Sequence, residues 1–114
     1  MSESVFATCI RVACQEAHRI SQEHGFWEGG LFNFAEKIAL MHSELSEALE
    51  ANRGGTVNAP DKHCPEFTNL EIEFADLLIR VFDLSGFMVL RLGEAIEAKM
   101  KVNESRPFRH NKVY

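Results

Sequence analysis

Apolar residues return at every third and fourth position over three long stretches of this chain and one shorter one. That is the period of an α-helix with one buried face. In the first stretch Phe6, Cys9, Ile10, Ala13, Ala17 and Ile20 form the stripe. In the second, Ile38, Met41, Leu45, Ala48 and Leu49 do so, behind Asn33 as N-cap with Glu36 three residues on. The third opens on Thr68-Asn-Leu-Glu71, the pattern of a capping box, and runs through Leu70, Phe74, Leu77, Val81, Leu84 and Met88. A fourth helix is expected after Gly93, with Ala95, Ile96 and Met100 inward. Glycine and proline cluster only at Gly25–Gly30 and Gly54–Pro65, and Pro107 opens a tail. No segment alternates with period two for long enough to make a strand. The pattern predicts an all-α fold: four helices in one domain over residues 1–114, with 107–114 as a tail. The middle two helices should form an antiparallel hairpin.

Composition narrows the classes. Apolar residues make up 46% and charged residues 25%, which suits a globular chain and excludes wholesale disorder. A chain of 114 residues can bury one core with little surplus, so assembly with further copies would help it. The net charge of −5 argues against gripping nucleic acid or an anionic membrane. No apolar run approaches the roughly 18 residues of a membrane span. Met1 to Gln15 lack the layout of a secretory signal. Cys9, Cys14 and Cys64 are odd in number, with no C-x-x-C spacing, so neither a disulfide framework nor a zinc site is expected. They read as small fillers in a cytoplasmic protein.

The chemistry lies in four acids. At about 100° per residue, Glu44 projects into an apolar sector between Leu40 and Ala48, and Glu47 falls on its edge beside Leu40. On the third helix Glu73 projects among Leu70, Leu77 and Leu84, with Asp76 on the edge beside Phe87. An i, i+3 acid pair is ordinary on a solvated face. Two pairs reaching into apolar sectors of paired helices are not, because unpartnered buried carboxylates are costly and raise each other's pKa. Too few inward Lys or Arg are evident on these helices to compensate them. A divalent cation would. All-oxygen donors favour Mg²⁺ or Mn²⁺ over zinc or copper, and the lack of Glu-x-x-His argues against a ferritin-like di-iron site. The chain has 17 acids and 12 bases, so setting these four aside leaves the two signs nearly balanced.

The stretch Glu36-Lys-Ile-Ala-Leu-Met-His-Ser-Glu-Leu-Ser-Glu-Ala-Leu-Glu50, followed by Glu73-Phe-Ala-Asp76, resembles the MazG-like all-α nucleoside triphosphate pyrophosphohydrolases. Their motif is Glu-Glu-x-x-Glu, a spacer, then Glu-x-x-Asp. Lys99-Met-Lys-Val-Asn103-Glu-Ser-Arg106-Pro-Phe-Arg-His110 is similar to that family's tail, so the resemblance spans about residues 20–112. Ser43 stands where the family has the first Glu, which implies a small subtype with a changed metal arrangement, filled by Glu50 or waters. The resemblance implies a MazG-like bundle that cuts (deoxy)nucleoside triphosphates to monophosphate and pyrophosphate and so cleans nucleotide pools. It also implies Mg²⁺, with Mn²⁺ as substitute, on Glu44, Glu47, Glu73 and Asp76, one of which, or Glu50, takes the water's proton. Two readings compete. One is phosphoribosyl-ATP pyrophosphatase, although the Gly25–Gly30 loop and the Arg106–His110 tail look more like the MazG side. The other is a non-catalytic helical dimerisation or regulatory module, which needs no inward acids.

Lys99, Asn103 and Arg106 share a helix face and read either as a solvated C-terminal turn or as phosphate contacts; the resemblance favours contacts. Phe26 and Trp27, in the glycine-rich loop, are candidates to stack a nucleobase or else to plug the bundle end, with Phe32 and Asn33 as further candidates. Lys37 projects close to Glu44 and reads as a cation pairing with the acids in preference to the other reading, a phosphate contact. His42 projects away from them. The Gly54–Phe67 loop is long for a helical hairpin and could act as a lid carrying Lys62 and His63. Finally, Ile72, Ile79 and Phe82 lie off the main stripe of the third helix, and Val5 and Val12 off that of the first. A helix apolar on two faces calls for a symmetric partner, so a homodimer or a tetramer of dimers is expected, with nucleotide as the other partner.

Overall fold

Each of the first three helices begins where the sequence offers a capping oxygen. In the computed structural model, which describes residues 2–29 and 32–113, Ser4 Oγ accepts from Ala7 N at 3.0 Å and starts α1, Val5–Glu23. Asn33 Oδ1 accepts from Glu36 N at 3.0 Å and starts α2, Phe34–Arg53. Thr68 and Glu71 form the reciprocal box, with Glu71 N donating to Thr68 Oγ1 and Thr68 N to Glu71 Oε1, and start α3, Asn69–Met88. That helix stops at Val89, whose left-handed φ of 54° turns the chain directly into α4, Leu92–Ser105. The all-α expectation holds: the described residues contain four helices, a short 3-10 turn at Phe108–Asn111 and no strand beyond one isolated bridge, Pro60 to Thr68. Met1, Gly30, Leu31 and Tyr114, which belong to the expected domain, Gly30 to its glycine cluster and Tyr114 to its tail, lie outside the described residues. No described helix is long and apolar enough to cross a membrane.

Helix α3 is the shared element. It packs against α1 on one side and α2 on the other, while α4 packs mainly on α1. Both α3 contacts are antiparallel. Glu44 meets Arg80 and Glu47 lies with Glu73, while His18 meets Asp83 and Cys14 lies against Gly86, so numbers rise along one helix as they fall along the other. The hairpin expected of the middle helices is therefore present.

The seam of α1 is rotated from the expected stripe. Ala7 and Cys14 are buried, whereas Phe6, Cys9 and Ile20 are largely exposed. Small residues explain the shift. A Cβ on Gly86 would stand 2.5 Å from the Cys14 carbonyl oxygen, and one on Gly93 would stand 2.8 Å from Ala7 Cα. Both α3 and the start of α4 thus approach the α1 backbone closely, which only a narrow face of α1 permits. Gly93 itself lies inside α4, one residue after its start, and Met100 faces outward.

The connection at 54–68 is held by its own hydrogen bonds. Asp61 N donates to Phe67 O at 2.8 Å and Asn69 N to Ala59 O at 2.9 Å. The Asp61 carboxylate accepts from the amides of His63 and Cys64 at 2.9 Å each, and these bonds lower its pKa. Lys62 and His63 are exposed.

The Gly86→Ala variant tests the close approach. Its new methyl meets backbone rather than a side chain that can turn aside, so stability should fall by about 2 kcal/mol. The denaturation midpoint should drop with little change in the slope of the transition.

Candidate functional site

The α2–α3 hairpin brings Glu44, Glu47 and Glu73 together, with one carboxylate oxygen of each within 4.8 Å of the others. Glu44 is only 6% exposed. Glu73 is half-buried, and its Oε2 is buried with no hydrogen-bond partner. Burial, then the hydrogen bond and charge of Glu47, then the charges of Asp76 and Glu44, push the Glu73 carboxyl up to about 7. Asp76, one helical turn further along, lies outside that trio but close enough to feel it. Its pKa is raised by burial first and then by Glu44 and Glu47, against an opposing pull from Arg80. Three of the four expected acids therefore converge and the fourth adjoins them. All-oxygen donors and an orphaned buried carboxylate oxygen fit a hard divalent cation held by Glu44, Glu47 and Glu73, with Asp76 beside it.

One cation of the chain serves these acids, fewer than their number. Arg80 Nε donates to Glu44 Oε1 at 2.6 Å. Arg80 was legible: it stands one turn after Asp76 and about two turns after Glu73, on the same face of α3. Its side chain is 41% exposed, so the pair is anchored at the buried end by Glu44 and open to water at the other. One guanidinium compensates Glu44 and leaves the charges of Glu47 and Glu73 against each other.

Next to the acids lies a cleft of about 820 Å³ between α1, α2 and α3. Glu44, Asp76 and Arg80 line one part of it, and Ile20, Phe26, Leu40, Ile79 and Phe82 supply apolar wall elsewhere. Phe26, an expected base contact, is 73% exposed and lines the cleft. Trp27 sits differently from that expectation. Its indole stacks on Phe87 at 4.3 Å between centroids, with Phe32 alongside, and Lys37 Nζ lies 4.1 Å from its centroid. Phe87 fills one face, so the ammonium takes the other, and no face is left for a base. Lys37 is accordingly no ion-pair partner of the acids; it has no carboxylate within bonding distance among the described residues.

Beneath this aromatic stack is a polar hub that the sequence reading did not single out. Asp83 Oδ1 accepts from Trp27 Nε1 at 3.0 Å and from His18 Nδ1 at 2.8 Å, with both side chains of the His18–Asp83 pair only 16% exposed. The available signal was spacing: Asp83 follows Asp76 by two helical turns.

The basic trio is elsewhere. Lys99 and Asn103 are exposed on α4, which packs on α1, Arg106 is exposed just past its end, and none of the three lines the cleft. Arg106 instead meets His110 at 3.1 Å. Glu50 pairs with Arg53 at 3.1 Å on the exposed side of α2, away from the trio of acids. Neither a protein-family model, nor a curated protein, nor a solved structure matches the chain.

The raised Glu73 carboxyl makes a signed prediction. Its ordinary value is 4.5 and its folded value about 7, so between the two the folded chain holds a proton that the unfolded chain has lost. Without divalent ions this group costs stability as pH rises from about 5 to 8. The shift on Asp76 acts in the same direction. Glu73→Gln should therefore match the parent at pH 4.5 and exceed it at pH 8. Added Mg²⁺ should raise the melting temperature of the parent more at pH 8 than at pH 5.5, and raise that of the variant less. Thermal melts across pH, with and without Mg²⁺, measure both.

Proposed function

We propose that this chain is a divalent-metal-dependent nucleoside triphosphate pyrophosphohydrolase, converting a (deoxy)nucleoside triphosphate and water to the monophosphate and pyrophosphate. The observation that carries the reading is the convergence of Glu44, Glu47 and Glu73 around a buried, unpartnered carboxylate oxygen, at the edge of a cleft large enough for a nucleotide. The resemblance of Glu44-x-x-Glu47 and Glu73-x-x-Asp76 to the MazG-like motif supplies the reaction. Mg²⁺, or Mn²⁺ in its place, on these acids would neutralise phosphoryl charge and activate a water.

The residues divide the remaining work. Glu47 and Glu73, which pair with no cation among the described residues, make the affinity for a divalent ion. Arg80 holds Glu44 turned inward by its 2.6 Å bond to Oε1, beside the other two acids. The base that takes the water's proton is one of the four acids, because Glu50 is engaged with Arg53. Phe26 and the apolar wall near Ile79 and Phe82 form the surface against which a base would lie. The phosphoribosyl-ATP reading shares this chemistry and differs only in substrate. A non-catalytic helical module leaves the orphaned Glu73 oxygen without a purpose.

Assembly belongs to the same proposal. Among the described residues of the single chain no large side chain is fully buried, and Val5, Val12 and Ile79 are half or more exposed. A homodimer, or a tetramer of dimers, would cover these faces.

Release of pyrophosphate from a panel of common nucleotides, with and without Mg²⁺, tests the reading. Phosphorus NMR should show pyrophosphate and monophosphate, with no inorganic phosphate appearing first. Asp76→Asn should lose activity by a factor of at least about a hundred while keeping or gaining stability, since it relieves repulsion. Glu44→Gln should also lose activity but should cost about 1–3 kcal/mol of stability, because it breaks the charged bond to Arg80. Near-parental turnover in either variant would sink the carboxylate centre.

A further inference from the structure

Lys37 and Arg80 are two cations on the wall of one cleft, and both keep donors unspent. The Lys37 ammonium rests over the Trp27 indole, a contact that uses its charge but none of its three N–H bonds. Arg80 spends only Nε, on Glu44, and its side chain stays 41% exposed at the cleft. The lining otherwise carries more acids than bases, with Glu16, Glu36, Glu44, Asp76 and Asp83 among them. A free polyanion is repelled by such a wall. A polyphosphate that brings a divalent ion to the carboxylates is not, and its outer oxygens then need donors.

We infer that Lys37 and Arg80 contact the polyphosphate, and that Asp83 is a positioning residue which, through Trp27, holds Lys37 where it can do so. The inference rests on the pyrophosphohydrolase reading and assigns its phosphate contacts to α2 and α3 instead of α4. The linkage is short and has no slack. Asp83 Oδ1 fixes the indole by its N–H at 3.0 Å, with the His18 ring held at the same oxygen and packed edge-on to the indole at 5.1 Å. Phe87 stacks beneath the indole at 4.3 Å. With one face and its polar edge fixed, the indole is a fixed platform for Lys37, which itself lines the cleft. When a phosphate oxygen arrives, the ammonium exchanges a π face for a charged acceptor, a stronger partner. The chain carries a single Trp, so its fluorescence reports this exchange directly.

The test uses inorganic tripolyphosphate with Mg²⁺ on the full chain, followed by titration calorimetry and Trp emission, alongside nucleotide turnover. The parent should bind it only with Mg²⁺ present and should change its emission on binding. Lys37→Met should weaken binding about tenfold to a hundredfold and abolish the emission change, with a matching rise in KM, while Lys37→Arg restores part of both. Asp83→Asn, which keeps an acceptor for the indole N–H, should bind better than Asp83→Ala, whose emission should shift to the red before any ligand is added. If Asp83→Ala fails to fold, the two Lys37 variants and Asp83→Asn still decide the matter. Parental affinity in Lys37→Met, with the parent active, would overturn the inference and leave the enzymatic reading standing. Binding with the predicted emission change but no hydrolysis of any nucleotide would support the phosphate site and remove the enzymatic reading. No binding and no hydrolysis by the parent would remove both.

Discussion

Carboxylates held within ion-binding distance of each other repel, and the repulsion has to be met by something the helices bring to the same place. Here α2 and α3 bring three such groups together and only one guanidinium. Arg80 satisfies Glu44, the most buried of the three, and Glu47 and Glu73 are left facing one another with a buried oxygen unmatched. The protein meets the excess by keeping a proton on Glu73 near neutral pH. A divalent cation would meet it by replacing that proton. Those two ways of discharging one electrostatic debt are why stability, metal affinity and the proposed catalysis should all respond to the same few atoms.

The rest of the fold holds that cluster at the edge of a cleft. Because α3 is in contact with both α1 and α2, it carries acids toward one neighbour and Asp83 and Gly86 toward the other. Gly86 lets α1 approach closely, which seats His18 against Asp83 and fixes Trp27 against Asp83 and Lys37, two residues that line the cleft. One helix thereby sets both the charged end and the aromatic end of the same space. The position of Lys37 follows from the aromatic end, and that of Arg80 from the charged end.

Much of this was legible from residues alone where a single element decides. The capping oxygens of Asn33 and Thr68 start α2 and α3, and the i, i+3 spacing puts Glu44 with Glu47, and Glu73 with Asp76, on one edge of each helix. The helical period of 3.6 residues determines those relations before any packing occurs. Arg80 belongs to the same class, since its spacing from Glu73 and Asp76 puts it on their face.

What the tertiary structure decided is every relation between elements. The helical period sets angles within a helix but not the rotation of one helix against another, and that rotation came from the smallest residues, Ala7, Gly86 and Gly93, rather than from the largest apolar ones. It turned Phe6 and Cys9 outward, drew α4 onto α1 so that Lys99, Asn103 and Arg106 lie off the cleft, and gave both faces of Trp27 to Phe87 and Lys37. The sequence by itself determined the four helices and which acids share a face. Packing alone decided that Glu44 meets Arg80 across the hairpin and that Asp83 meets Trp27, because contact between helices depends on how near two backbones can come.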